Sequence, residues 1–173
     1  VCKSESQEIM KSISVSGSAK AILTLDADGT GTLVDLSQDA NTTAQIAQRC
    51  GTDMAALLYS SGTTGRPKGI MLSHDNLRSN AEILVDAWGF SSSDRLLHML
   101  PIYHVHGLFV GISCVLMSGA SMSWHKSYND DIAVTAMSKC TVMMGVPTYY
   151  TRLLSNHRFS SDSVSYTHLR AHE

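Results

Sequence analysis

The sequence has almost no net charge and no long apolar run, and these absences exclude several classes of protein. Thirteen Lys and Arg residues against fifteen Asp and Glu residues give a formal charge of −2, so no basic surface predicts nucleic acid or an anionic membrane as a partner. The best apolar candidate, 108–117, contains Gly111 and Ser113 and is too short to cross a bilayer. We therefore expect neither a nucleic-acid partner nor a transmembrane segment.

The sequence also lacks the cysteine spacing that metal and redox sites require. No C-x-x-C pair occurs, which argues against a zinc knuckle or a dithiol redox centre. We interpret the four cysteines as reduced thiols in a reducing compartment and expect no disulfides there. They are Cys2, Cys50, Cys114 and Cys140.

Apolar runs that are typical of strands alternate with helix-like patterns from residue 54 onward. Such alternation predicts an α/β fold with a largely parallel sheet and flanking helices. Ligands gather beyond the carboxyl ends of the strands in such folds, which here means the loops after Tyr59, Leu100 and Met144. The predicted strands are 54–59 (buried), 70–73, 96–100, 120–124 and 141–144, and the predicted helices begin near residues 75, 105, 130 and 147.

The upstream part, 1–52, carries weaker signals. Residues 1–17 predict a frayed helix or connector. Residues 19–25 and 32–36 predict two short strands around an Asp/Gly turn, which lacks the twelve-residue calcium-loop pattern. Residues 42–50 predict a weak helix.

One segment, 59–69, has a composition that packing alone does not explain. It reads Tyr-Ser-Ser-Gly-Thr-Thr-Gly-Arg-Pro-Lys-Gly, in which glycines allow close backbone approach and hydroxyls and a lysine can hold a polyphosphate. It fails the G-x-x-x-x-G-K-S/T phosphate loop, because Pro67 and Gly69 occupy the positions of the second glycine and the hydroxyl. A plain polar loop between two strands stays open as an alternative. The candidate phosphate-binding residues are Ser60, Ser61, Gly62, Thr63, Thr64, Gly65 and Lys68.

A second polar segment, 100–107, follows a predicted strand and opens a predicted helix. It reads Leu-Pro-Ile-Tyr-His-Val-His-Gly, so its polar groups lie near a helix start, which favours anions. His104 and His106 lack a third ligand at metal-binding spacing, and this disfavours a metal site. From the residues alone, hydrogen-bonded histidines in a helix cap remain an alternative to a binding site.

Residues 56–69 resemble the phosphate-binding signature of the adenylate-forming superfamily, which contains acyl-CoA synthetases, luciferases and the adenylation domains of peptide synthetases. Residues 100–107 are similar to a later core motif of that superfamily, in which an aromatic residue and a histidine lie against the adenylate and acyl group. By this resemblance Tyr103 and His104 bind substrate, and His104 is the catalytic residue. His106 stands where many relatives carry an aromatic residue, and with 145–154 it makes malonyl-CoA synthetases the most similar group.

The resemblance implies an ATP-dependent acid–CoA ligase that activates malonate or methylmalonate as acyl-AMP and transfers the acyl group to CoA. It implies ATP, Mg²⁺, CoA and a small carboxylate as cofactors and substrates, with 60–68 on the β- and γ-phosphates and His106 on the second carboxylate. No metal ligand is assigned within this chain. A fatty-acyl-CoA ligase of another chain length and a nucleotide-binding module without ligase activity remain alternatives.

The resemblance covers about 54–159 and then stops. Later motifs of the superfamily, which supply the acidic Mg²⁺ ligand, the ribose contact and the adenylation lysine, do not occur. We therefore divide the chain into an upstream part, 1–52, an AMP-binding core, 53–163, and a tail, 164–173. The tail matches no family motif, resembles translated adapter sequence and is excluded from the fold prediction. We expect an incomplete portion of the large N-terminal domain, inactive alone, from an intracellular enzyme of the mitochondria or cytoplasm.

Overall fold

The computed structural model describes most of the chain, in two units that divide after residue 48. In the part of the chain that the structure describes, no helix is long and apolar enough to cross a membrane. The described residues are 1–14, 20–38, 40, 45–60, 67–164 and 168–171.

The first unit contains two short α-helices joined through a turn. The helix predicted near the start of the chain is confirmed, and so is the Asp/Gly turn, in which Asp26 N–H donates to Thr30 O at 2.8 Å. The weak helix predicted over 42–50 is wrong for 45–50, which has no regular structure, whereas 42–44 lie outside the described residues. The elements are a 3₁₀ turn at Ser4–Ser6, α1 at Gln7–Ser14 and α2 at Thr32–Gln38.

The two strands predicted around this turn are wrong. Of the first, 19–25, the described residues form only a single bridge between Thr24 and Cys2, and the second segment forms α2 instead. Thr24 explains the helix, because its hydroxyl accepts from Thr32 N at 3.0 Å and its carbonyl oxygen accepts from Leu33 N at 3.1 Å. These bonds satisfy N–H groups of the first helical turn, which have no partner within the helix.

The second unit begins with an antiparallel hairpin of β1, Met54–Ser60, and β2, Lys68–Ser73. The sequence predicts both strands, but the prediction that the first is buried is wrong, since Met54 is 58% exposed and Tyr59 is 71% exposed. Exposed and half-buried residues alternate along most of β1, because successive side chains point to opposite faces and only one face is partly covered.

Helix α3, His74–Trp88, begins near residue 75, as the sequence predicts. The Ser73 hydroxyl accepts from Asn76 N at 3.1 Å, and Asn76 Oδ1 accepts from Ser73 N at 3.0 Å. These reciprocal bonds form a capping box. Gly89 ends the helix in the left-handed conformation, with φ 64°. The helix packs against the helical segment 106–118.

A four-stranded parallel sheet in the order β4–β3–β5–β6 forms the centre of the second unit, which confirms the predicted α/β fold. Alternate strand residues point to opposite faces. Leu97 and Met143 therefore pack on α5 and α6, and Leu96 and Val142 pack on α3 and α4. The elements are β3 Arg95–His98, a π-helix His106–Gly111, α4 Ile112–Ser118, β4 Ser121–Trp124, α5 Asp130–Met137, β5 Val142–Gly145, α6 Pro147–Ser155, a 3₁₀ turn Ser161–Val164 and β6 His168–Ala171.

Strand β6 lies in the tail, 164–173, which the sequence analysis excludes from the fold. It pairs with β5 in parallel register from Val142↔His168 to Gly145↔Ala171. The tail thus contributes a strand to the sheet. Its origin, and the domain boundaries after residues 52 and 163, stay predictions.

Candidate functional site

The two described ends of the predicted phosphate loop, Ser60 and Lys68, pair with each other in the β1–β2 hairpin. Ser60, the last residue of β1, is the Cα partner of Lys68, the first residue of β2. Ser60 is half-buried and Lys68 is exposed, so the lysine ammonium can reach a ligand at the base of the loop. The other candidates lie outside the described residues, and their role stays a prediction. They are Ser61, Gly62, Thr63, Thr64 and Gly65.

The segment 100–107 leaves the carboxyl end of β3 as a tight turn. His104 N–H donates to Pro101 O at 3.3 Å, and the N–H four residues further on donates to His104 O at 3.0 Å. A Cβ on Gly107 would collide with the Pro101 carbonyl oxygen, so only glycine lets the chain approach this closely. Tyr103 and His104 are exposed, with ring centroids 4.7 Å apart. The structure thus brings these two predicted site residues together.

His106 has different surroundings from His104, because it is half-buried at the start of the π-helix and its Nε2 atom is buried. It lies near enough to His98 for the two imidazoles to interact electrostatically. Burial, and secondly this interaction, lower the pKa of His98. Single π-helical turns inside α-helices are rare in proteins, and those that occur often lie at functional sites. His106 is therefore placed between the exposed turn and the buried end of β3.

A pocket of about 210 Å³ opens beside this turn, where β3 and β4 end. Of the predicted substrate residues, Tyr103 lines it, whereas His104 and His106 do not. Its walls come from the turn after β3, the end of β4 and the start of α6, so three separate chain segments converge here. The other main lining residues are Pro101, Trp124, His125, Lys126 and Tyr149.

Three of these wall residues are not among the predicted site residues. Trp124 is 49% exposed and lines the pocket. The Nε2 atom of His125 lies 3.2 Å from Ser123 Oγ. Lys126 adds a positive charge. No local signal marks these residues, because a strand end becomes a pocket wall only once the strands pair.

Tyr149 is held in the wall by a stacked aromatic pair. Its ring centroid lies 4.0 Å from that of Tyr128, with 13° between the planes, and the Tyr128 hydroxyl donates to Tyr149 O at 2.8 Å. The Arg152 guanidinium lies 4.9 Å from the Tyr128 ring centroid, a cation–π contact. The neighbouring segment 146–148 is exposed. Burial raises the pKa of Tyr149, so its hydroxyl stays protonated.

The described residues do not form a metal site. No three His, Cys, Asp or Glu side chains among them lie close enough together to hold a metal ion. Mg²⁺ prefers oxygen ligands and is held in nucleotide sites by one or two carboxylates together with phosphate oxygens. Apart from the hydroxyl of Ser60, the described candidate residues supply imidazole, phenol and ammonium groups instead, which are not the ligands that Mg²⁺ prefers.

The comparisons with known proteins agree with this arrangement. The profile of the family described as AMP-binding enzyme matches residues 2–171. The chain is 39% identical over 110 residues to human mitochondrial malonate–CoA ligase, an alignment that covers 58% of this chain and 18% of that protein. It is 41% identical to ATP-bound MatB from Rhodopseudomonas palustris, with a TM-score of 0.92, over 98% of this chain and 34% of that one.

A malonyl-CoA ligase in a ternary product complex with methylmalonyl-CoA and AMP is 31% identical, with a TM-score of 0.65, over 70% of this chain and 28% of that one. The chain spans less than a fifth of the length of the curated malonate–CoA ligases that it matches. The resemblance to the N-terminal domain of adenylate-forming enzymes is therefore confirmed, and the chain belongs to the AMP-binding enzyme family.

Proposed function

We propose that this chain is the part of an ATP-dependent acid–CoA ligase that holds the ATP phosphates and the acyl group, and that the acid is malonate or methylmalonate. The relatives support this proposal through what they bind or act on: malonate and CoA, ATP, and methylmalonyl-CoA with AMP. The observation that carries it is the pocket at the strand ends, which Tyr103 lines, with the ring of His104 4.7 Å from that of Tyr103 outside the lining.

The size and charge of this pocket favour a short anionic acyl group. Its volume of about 210 Å³ is below the roughly 300–1,000 Å³ of pockets that take drug-sized ligands. Lys126 and His125 add an ammonium group and an imidazole to its wall. Hydrogen bonds from charged donors to a carboxylate are stronger than those between neutral groups. A long alkyl chain would gain nothing from these two side chains.

The first half-reaction joins the acid to AMP. A carboxylate oxygen attacks the α-phosphorus of ATP, and the bond from that phosphorus to the oxygen bridging to the β-phosphate breaks, giving acyl-AMP and pyrophosphate. Lys68 stabilises the negative charge that grows on the leaving pyrophosphate, and the hydroxyls and amides of 60–65 add hydrogen bonds. His104 donates a hydrogen bond at the acyl and α-phosphate oxygens and keeps the two reactants aligned.

The second half-reaction transfers the acyl group to CoA. The CoA thiolate attacks the acyl carbonyl carbon, and the bond between that carbon and the AMP oxygen breaks. The family resemblance assigns the second carboxylate of the acid to His106, which is not among the residues that line the pocket. Mg²⁺ remains an expectation from the family resemblance. We place the enzyme inside the cell, in mitochondria or cytoplasm, and the name of the human relative favours mitochondria.

The experiment is ATP–pyrophosphate exchange by the enzyme that contains this chain, with malonate, methylmalonate, acetate and a medium-chain fatty acid. We expect exchange with malonate or methylmalonate, a selective loss of it in His106→Phe, and unchanged exchange in the matched control His157→Phe, since His157 is exposed outside the pocket. Preference for a monocarboxylate with an unaffected His106→Phe would replace malonate by another acid. ATP binding without exchange on any acid would leave only a nucleotide-binding module.

A further inference from the structure

His98, the last residue of β3, is an unusual buried residue. It is 1% exposed, and neither ring nitrogen has a hydrogen-bond partner among the described residues. Most buried polar side chains make at least one hydrogen bond, and a buried polar group that makes none lowers stability. An apolar residue of similar size would stabilise the fold better. A histidine at this position therefore points to a role other than stability.

The ring of His98 is held between two elements. On one side lies the π-helix, where a Cβ built on Gly111 would stand 3.1 Å from His98 Nδ1 and 3.2 Å from Cε1. On another side lies Trp124, whose ring centroid is 4.8 Å from that of His98, with 42° between the planes. A glycine at 111 gives the imidazole its room, and Trp124 packs against the same ring.

Two contacts of His98, one with Trp124 and one with His125, lead to the pocket. Trp124 lines it, and His125, the next wall residue, is tied to His98 because His125 N–H donates to His98 O at 2.9 Å. His98 itself does not line the pocket. The buried histidine therefore lies behind two consecutive wall residues and touches neither the cavity nor a ligand in it.

We propose that His98 is a positioning residue of the acyl pocket, whose planar ring fixes Trp124, and that Trp124 is the wall that limits the pocket to short dicarboxylic acids. The inference rests on the proposed function and assigns these two residues a part in its selectivity. The imidazole is planar and rigid, and it packs at a tilt of 42° against the indole. A branched, flexible side chain in its place leaves the indole free to tilt.

The test measures the kinetics of ATP–pyrophosphate exchange and the urea unfolding of the enzyme that contains this chain. The proteins compared are the wild type, His98→Leu, Trp124→Leu, the double variant and the control His157→Leu. Malonate and the longer dicarboxylate glutarate are the two acids. For His98→Leu we expect an unfolding midpoint that is unchanged or higher, because an unpaired polar group is removed. We expect KM for malonate to rise about ten- to a hundredfold, as misplaced binding groups do, with kcat changed less than about threefold.

Trp124→Leu is expected to lower KM for glutarate relative to KM for malonate by a similar factor. The double variant is expected to resemble Trp124→Leu, since both changes act through one wall of the pocket. If the wild-type enzyme is active and KM for malonate is unchanged in His98→Leu, the inference is overturned and the proposed function stands. If His98→Leu fails to fold, an unchanged malonate-to-glutarate ratio in Trp124→Leu overturns it. A wild-type enzyme inactive on every acid overturns the proposed function and the inference together.

Discussion

Gly111→Ala tests whether the π-helix is packed on His98 as tightly as the structure shows. The added Cβ would stand 3.1 Å from His98 Nδ1 and 3.6 Å from His106 O. His98 has no room to move away, because it is 1% exposed and lies against Trp124. The backbone of Gly111 has ordinary helical angles, φ −59° and ψ −54°, so alanine is conformationally acceptable there and the steric contact decides the outcome.

Two opposing contributions set the magnitude. Replacing a helical glycine by alanine stabilises by about 1 kcal/mol, whereas overpacking a well-filled core costs roughly 1–3 kcal/mol. We therefore expect Gly111→Ala to lower the free energy of unfolding by about 0–2 kcal/mol. In a His98→Ala background the contact is gone, so the same substitution is expected to stabilise by about 1 kcal/mol.

The assay is urea unfolding, monitored by circular dichroism, of the four proteins of this double-mutant cycle: the wild type, Gly111→Ala, His98→Ala and the double variant. His98→Ala leaves a cavity, but the cycle subtracts its cost, and the expected interaction energy is roughly 1–3 kcal/mol. Gly89→Ala is the control, since no atom lies within 4 Å of its Cβ position and its left-handed strain does not depend on His98. Equal effects of Gly111→Ala in both backgrounds, within about 0.5 kcal/mol, would refute the packing described here.

Three further predictions concern the site and the chain. In the enzyme that contains this chain, His104→Ala is expected to lower kcat for pyrophosphate exchange by a factor of about 10²–10³. Lys68→Ala is expected to raise KM for ATP at least about tenfold. If either variant has unchanged kinetics, the residue that it replaces is not part of the site. The pKa of His98 lies below its ordinary 6.5 in the folded protein, so the unfolded state binds more protons. Stability is therefore expected to fall as the pH drops below 6.5. His98→Leu is expected to flatten this pH dependence in urea titrations at neutral and acidic pH. Purified residues 1–173 are expected to have low solubility, because Leu116 and Leu154 are 74% and 73% exposed. They are also expected to show no turnover, and any measurable rate of acyl-AMP formation would contradict that expectation.

Elements whose signals are local were predictable from the sequence. Helix α3 begins after its N-cap Ser73 and ends before its C-cap Gly89, because both caps act through hydrogen bonds or φ angles within a few residues. The alternation of strand and helix likewise predicts the parallel sheet, since two parallel strands need a connection long enough to hold a helix.

Elements whose state depends on distant partners were not predictable. Residues 32–36 have the β-branched composition of a strand, yet Thr24 caps them as a helix through bonds across eight residues. The apolar run 54–59 suggests burial, but a hairpin strand is covered only if another layer lies on it, and Tyr59 is 71% exposed. Hydrophobicity records a tendency to be buried, whereas burial itself depends on the neighbours.

The sequence by itself determined the family, through the glycine and hydroxyl loop before Lys68 and the pair Tyr103 and His104. Only the tertiary structure decided which residues share a pocket and which lie behind it. Trp124 and Tyr149 converge because β3 pairs with both β4 and β5, and His98 is buried because helices cover both faces of the sheet. These relations join residues far apart in the chain, and no local pattern of amino acids encodes them.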